Sequence, residues 1–105
     1  AMAANMYHQA FEKGNPFAAY NLARLFEKGL GMPENLSYAF KLYRFAAIRG
    51  HIEAQNALAM MYLEGRGTTK DMAQARSWFG LAAQYGNKEA QTHIKALLKE
   101  SKQVL

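Results

Sequence analysis

Residues 16–51 read PFAAYNLARLFEKGLGMPENLSYAFKLYRFAAIRGH, and residues 52–87 read IEAQNALAMMYLEGRGTTKDMAQARSWFGLAAQYGN. Laid over one another without a gap they share nine identities: Ala18/Ala54, Leu22/Leu58, Ala23/Ala59, Gly29/Gly65, Gly31/Gly67, Ala39/Ala75, Ala46/Ala82, Ala47/Ala83 and Gly50/Gly86. Phe26/Tyr62, Asn35/Asp71 and Tyr43/Phe79 match in kind. Self-similarity at a fixed period of 36 residues marks a chain built of stacked units, none of which buries its apolar face alone. The frame runs on in both directions. Ala3, Met6, Tyr7, Ala10, Gly14 and Asn15 fall on the positions of Ala39, Leu42, Tyr43, Ala46, Gly50 and His51. Ala90, Ile94, Leu97 and Leu98 fall on those of Ala18, Leu22, Leu25 and Phe26.

Within a unit the local chemistry spells two helices. Asn15 before Pro16 is an N-cap followed by the one helical position that welcomes proline, and Asn87 opens the corresponding helix further on. The first helix, Phe17 to Lys28, meets Gly29-Leu30-Gly31, where glycine supplies the left-handed conformation that ends a helix. Pro33 keeps the connection from turning helical again. Asn35 and Asp71 cap the second helices, which run to Arg49 and Tyr85 and end at Gly50 and Gly86. Asp71 to Gln74 has the spacing of a capping box. Ala18, Leu22, Ala23 and Phe26 share one side of the first helix, and Ala39, Tyr43, Ala46 and Ala47 form a stripe on the second. The alanines admit close backbone approach and the aromatics fill what remains. The expectation is an all-helical right-handed superhelix, an α-solenoid of five helices in one domain over 1–105. Its parts are 1–15 as a second helix or cap, repeats at 16–51 and 52–87, and 88–105 as a first helix or cap.

Composition agrees with a folded chain of this size. Of 105 residues half are apolar and only 20% charged, which is too apolar for intrinsic disorder. No segment approaches the roughly 18 to 20 apolar residues needed to span a bilayer. The absence of cysteine excludes thiolate nucleophiles, thiolate metal sites and disulfides, and leaves cytoplasm and periplasm both open. The start carries no signal-peptide pattern. Net charge is +5, with the excess after Asn35. Lys95, Lys99 and Lys102 would form one stripe on a helix, and Lys41 and Arg44 would neighbour each other on an earlier one.

The recurring elements resemble the Sel-one-like repeat, a 36-residue relative of the tetratricopeptide repeat. They are the glycine pairs Gly29/Gly31 and Gly65/Gly67, the Ala-Ala-x-x-Gly closes at Ala46–Gly50 and Ala82–Gly86, and Trp78 on a second helix. The resemblance implies a scaffold or adaptor of a kind common in bacteria, without an activity or cofactor of its own, that holds another protein on a concave surface. Related repeats read peptides from the exposed positions of the first helix in each hairpin. By register those are Phe17, Tyr20, Arg24, Glu27 and Lys28, then Glu53, Asn56, Met60, Leu63 and Glu64, then Glu89, Thr92, Ala96, Lys99 and Glu100. Tyr20, Arg24, Glu27, Asn56, Met60, Leu63 and Thr92 are the candidate partner-binding residues. Tyr and Arg are typical interface anchors, and Met adapts to irregular surfaces.

Other chemistry is poorly supported. His8, His51 and His93 have no His or Cys at metal-pair spacing, and His51 occupies the asparagine slot that starts a helix. The carboxylates form no catalytic pair, the serines lack a nucleophile-elbow context, and the Gly-x-Gly turns follow helices and lack the Gly-Lys of a phosphate loop. No small-molecule substrate is implied. Trp78 and Phe79 read as core between second helices. Two other classes of function stay open: nucleic-acid binding through the lysine stripe, disfavoured because no dense basic cluster occurs, and self-assembly as an end-to-end dimer through Met6, Tyr7 and Phe11.

Overall fold

A computed structural model describes the backbone of residues 2–104 and the side chains of residues 3–100. It contains six α-helices among the described residues: α1 Met2–Glu12, α2 Pro16–Lys28, α3 Leu36–Ile48, α4 Ile52–Glu64, α5 Met72–Gln84 and α6 Lys88–Val104. The all-helical solenoid class is as expected, and the count of five is corrected to six. Each terminal part-unit forms a helix of its own, flanking the two complete hairpins α2–α3 and α4–α5. Each helix packs on the next in chain order, and the stack is elongated, 50 × 25 × 17 Å.

The helix starts follow the repeat. Asn15 Oδ1 accepts from the backbone N–H groups of Phe17 and Ala18, Asn35 Oδ1 from Tyr38, Asp71 Oδ1 from Gln74 and Asn87 Oδ1 from Ala90. The reciprocal half of the Asp71 capping box does not form, because the Asp71 N–H already donates to the Tyr62 carbonyl at 3.0 Å. Gly29 and Gly65 close α2 and α4 at φ 66° and 67°. The second helices stop one residue earlier than their glycines suggest, at Ile48 and Gln84.

His51 holds the asparagine slot by chemistry of its own: its Nδ1 accepts from the Ala54 N–H at 3.1 Å. That bond requires an unprotonated Nδ1. Burial lowers the His51 pKa from the usual 6.5, and the Glu53 carboxylate only partly opposes this. With the folded pKa below the unfolded one, the cap contributes fully above about pH 6.5 and is lost as pH falls through the folded value. A cap is worth about 1 kcal/mol. His51→Asn should therefore remove part of the loss of Tm between pH 7.5 and pH 5; equal losses in both proteins would rule out this role for the histidine.

Two buried clusters make the core. The larger joins Ala19, Leu22, Ala23, Ala39, Leu42, Tyr43, Ala46, Ala47, Ala54, Leu58 and Met61; the smaller joins Ala59, Ala75, Phe79, Ala82, Ala90 and Leu97. Trp78, expected as core, is only half-buried and borders both. A polar tie recurs at the repeat period: Gln55 Nε2 donates to the Ala47 carbonyl and Gln91 Nε2 to the Ala83 carbonyl. It pins each first helix to the second helix before it.

The apolar end suggested for α1 is largely closed. Tyr7 and Phe11 pack on the core, with Phe11 edge-on to Phe45 at 4.8 Å, and only Met6 stands open, 68% exposed.

Candidate functional site

The first helices of the units, α2, α4 and α6, share one side of the solenoid, and their helical register sends a residue into the space between them every three to four positions. A groove of about 300 Å³ lies there. Tyr20, Arg24 and Glu27 reach it from α2, Asn56 and Met60 from α4, and Glu89 from α6. Five of the seven candidate residues thus come together in one concavity. Leu63 and Thr92 do not line it. Leu63 packs against the smaller core cluster, and the Thr92 hydroxyl donates back to the Lys88 carbonyl at 3.2 Å.

The wall at the C-terminal end of α2 is a network. The Tyr43 hydroxyl donates to Glu27 Oε1 at 2.6 Å, and Arg66 Nη1 donates to Glu27 Oε2 at 3.0 Å. Arg66 also lies 3.7 Å from Glu64. Burial, and then the hydrogen bond to the Glu27 carboxylate, push the Tyr43 pKa far up, so the hydroxyl stays a donor. Glu27, read from the sequence as a surface contact, has both oxygens engaged and braces α2 against the α4–α5 turn. Arg66 and Tyr43 are site residues that the register reading misses. The available signal for Arg66 was a charged residue between Gly65 and Gly67 where the preceding repeat has Leu30.

The middle of the groove is aromatic and amphipathic. The Tyr20 ring lies 4.6 Å from His51 and 5.7 Å from Tyr43, centroid to centroid, with the Arg24 guanidinium 5.8 Å from its own centroid. Burial raises the Tyr20 pKa, and the neighbouring Arg24 charge offsets part of the rise. Tyr20 is therefore both groove wall and packing residue, not the free surface group the register suggests.

Asn56 differs more. Instead of standing exposed it is 7% exposed, and its Nδ2 donates to Glu89 Oε2 at 2.9 Å. Its Oδ1 is buried with no hydrogen-bond donor. Glu53 and Glu89, on the first turns of α4 and α6 where the helix dipole favours carboxylates, complete that end of the groove.

Other candidate chemistry is dispersed. His8 faces Glu12 on α1 at 3.4 Å, His93 stacks on Phe79, and no group of three or more His, Asp or Glu able to hold a metal gathers among the described residues. Lys95 and Lys99 are exposed on α6, while the Lys102 side chain lies outside the described residues. No helix among the described residues is long and apolar enough to cross a membrane. A second, apolar hollow on the α3–α5 side is lined by Ile48, Ile52, Gln55, Trp78, Leu81 and Tyr85.

Stacked two-helix units in strict register, with a groove along their first helices, define a helical-repeat solenoid. The Sel1 repeat family model matches residues 16–51 and again 52–87. The chain belongs to the Sel1 repeat family, whose members are generally non-catalytic protein-interaction scaffolds. Its fold is similar to that of a Sel1 repeat protein from Oxalobacter formigenes, at TM-score 0.84 and 31% identity over 86% of this chain and 68% of that one. It is also similar to a protective antigen of uropathogenic Escherichia coli strains, at TM-score 0.82 and 33% identity, covering 83% of this chain but 19% of the antigen. The cysteine rich protein B of Helicobacter pylori shares the fold at TM-score 0.81 and 21% identity, over 85% of this chain and 67% of that one. No curated protein matches the chain.

Proposed function

We propose that this chain is a scaffold module that holds an extended segment of a partner protein in the α2–α4–α6 groove. Tyr20, Arg24, Asn56 and Met60 are the main contacts, Glu27 braces the wall, and Leu63 and Thr92 flank it. The observation that carries the reading is convergence. Residues selected because the repeat does not need them for packing arrive from separate helices in one concavity, with a polar floor and an aromatic wall. The helices are ordered before the partner arrives, so the receptor side loses little entropy on binding. Phosphodiester ligands suit the groove badly, because Glu27, Glu53, Glu64 and Glu89 line it against Arg24, Lys28 and Arg66, and Arg66 is already paired with Glu27 and Glu64.

The test is selection of binders from a random peptide library, followed by NMR mapping on labelled protein. Selected peptides are expected to shift Tyr20, Arg24, Asn56 and Met60. The double variant Arg24→Ala/Met60→Ala should lose at least about tenfold in affinity, since an interface anchor contributes roughly 1 kcal/mol or more. Its urea midpoint should stay within the small range of partly exposed substitutions. Peptides that shift only residues outside the groove, or bind the double variant equally well, would sink the reading.

A further inference from the structure

We infer that the apolar hollow on the α3–α5 side is a second docking site, which takes an aromatic side chain from an acidic segment of a partner protein. It shares no lining residue with the groove of the first helices, so the two sites are independent.

The repeat shows which side chain fits. One unit earlier the same place is full. Phe11 of α1 and Phe45 of α3 meet edge to face there, 4.8 Å between centroids, and the Arg49 guanidinium covers the Phe45 ring at 3.5 Å. Shifted by 36 residues, these positions are Ala47, Leu81 and Tyr85. Ala47 stops at Cβ, so the ring that Phe11 supplies between α1 and α3 has no counterpart between α3 and α5. A hollow of about 420 Å³ stands in its place, walled by Ile48, Ile52, Trp78, Leu81 and Tyr85. Ile48 and Tyr85 are each 59% exposed. Two large apolar groups standing open at the rim of one concavity mark an interaction surface rather than scattered exposure. An inserted ring would supply the packing that Phe11 gives one unit earlier, with Trp78 and Tyr85 as aromatic neighbours.

The charges decide what surrounds that ring. No Asp or Glu lines the hollow, and none stands on α3 or α5. Lys41 and Arg44 are exposed, at i−7 and i−4 from Ile48 on the same face of α3. Arg49 is exposed between Ile48 and Gly50, both of which line the hollow. Among the described residues none of these three cations pairs with a carboxylate. The acids of the flanking helices are engaged elsewhere. Glu12, at the register position of Ile48 on α1, faces His8 at 3.4 Å, and Glu53 and Glu89 line the groove of the first helices. An apolar centre with a basic rim attracts an acidic segment and repels a basic one. Three cations are too sparse to hold a nucleic acid.

The probes are acetylated, amidated heptapeptides titrated into labelled protein: a central phenylalanine among glutamates, a central alanine among glutamates, and a central phenylalanine among lysines. The first is expected to shift Ile48, Gly50, Tyr85 and the Trp78 indole N–H in a saturable way and to leave Met60 unmoved. It should bind at least about tenfold more tightly than either of the others. Ile48→Ala/Tyr85→Ala changes only exposed side chains, so it should keep the urea midpoint and lose at least about tenfold in affinity. Lys41→Gln/Arg44→Gln should narrow the gap between the glutamate and lysine peptides by about threefold or more. Ala47→Phe should fill the hollow and abolish binding; if it misfolds, the Ile48/Tyr85 variant decides alone.

Equal binding of the alanine peptide, shifts without saturation, or full affinity in the Ile48/Tyr85 variant would each overturn the site. An unchanged gap in the lysine and arginine variant would overturn the acidic character of the partner. Vesicles of mixed phosphatidylserine and phosphatidylcholine should leave the Tyr85 signals unchanged, and vesicle binding without saturable peptide binding would overturn the peptide site in favour of a membrane surface.

Discussion

Replacing Gly67 by alanine should destabilise the protein by roughly 3 kcal/mol, a large share of the stability of a small domain. Gly67 sits at φ +73°, where a side chain costs about 1–2 kcal/mol. A Cβ there would stand 2.3 Å from the Leu36 carbonyl oxygen and 2.8 Å from its carbon. Leu36 is the first residue of α3, so what must give is backbone at the joint between the two hairpins, and forcing it apart adds a further 1–3 kcal/mol. Gly50 provides the control. Its φ of +91° is equally left-handed, but a Cβ there meets nothing within 4 Å. Gly50→Ala should therefore cost only the conformational term, about 1–2 kcal/mol. Urea denaturation of both variants decides the matter, and equal losses would mean that the Leu36 contact contributes nothing.

The same glycine shows why the fold was legible in the sequence. Gly31 and Gly67 recur at the repeat period because the turn within each hairpin needs left-handed backbone each time, and the caps Asn15, Asn35, His51, Asp71 and Asn87 recur for a similar reason. Periodic demands leave periodic residues. Even so, the expected total of five falls one short of the parts expected, since one helix at each end and two in each repeat make the six observed.

The groove was legible in outline and not in its polar detail. Register alone brought Tyr20, Arg24 and Met60 to it, because positions outside the packing stripe of a first helix must face outward somewhere. Asn56 was misjudged as exposed because its register mates are Tyr20 and Thr92, so no repeated preference marks it as buried. Its burial comes with Glu89, which arrives from a helix 33 residues away. The Glu27–Arg66 bond spans 39 residues, and it exists only once the turn after α4 has stacked beside α2. Contacts of this kind belong to one joint of the solenoid and leave no periodic trace.

Phe79→Ala tests how far the groove depends on those joints, and a loss of about 3–5 kcal/mol is expected for so large a fully buried ring. Phe79 is 0% exposed, at the centre of the cluster that joins α4 and α5 to Ala90 and Leu97 of α6, and it stacks on His93 at 4.8 Å. In a solenoid each unit is stabilised mainly by its neighbours, and α6 packs chiefly on α5. The loss should therefore fall unevenly. Hydrogen exchange of the α6 amides should accelerate first, while α2 and α3, built on the other cluster, keep most of their protection. Releasing α6 also withdraws Glu89 from Asn56, so peptides selected for binding the groove should weaken in the variant even where the α2–α4 part of the groove stays folded. Uniform acceleration across all helices would show instead that the two clusters unfold as one cooperative unit, and that the groove's third wall is no looser than the rest.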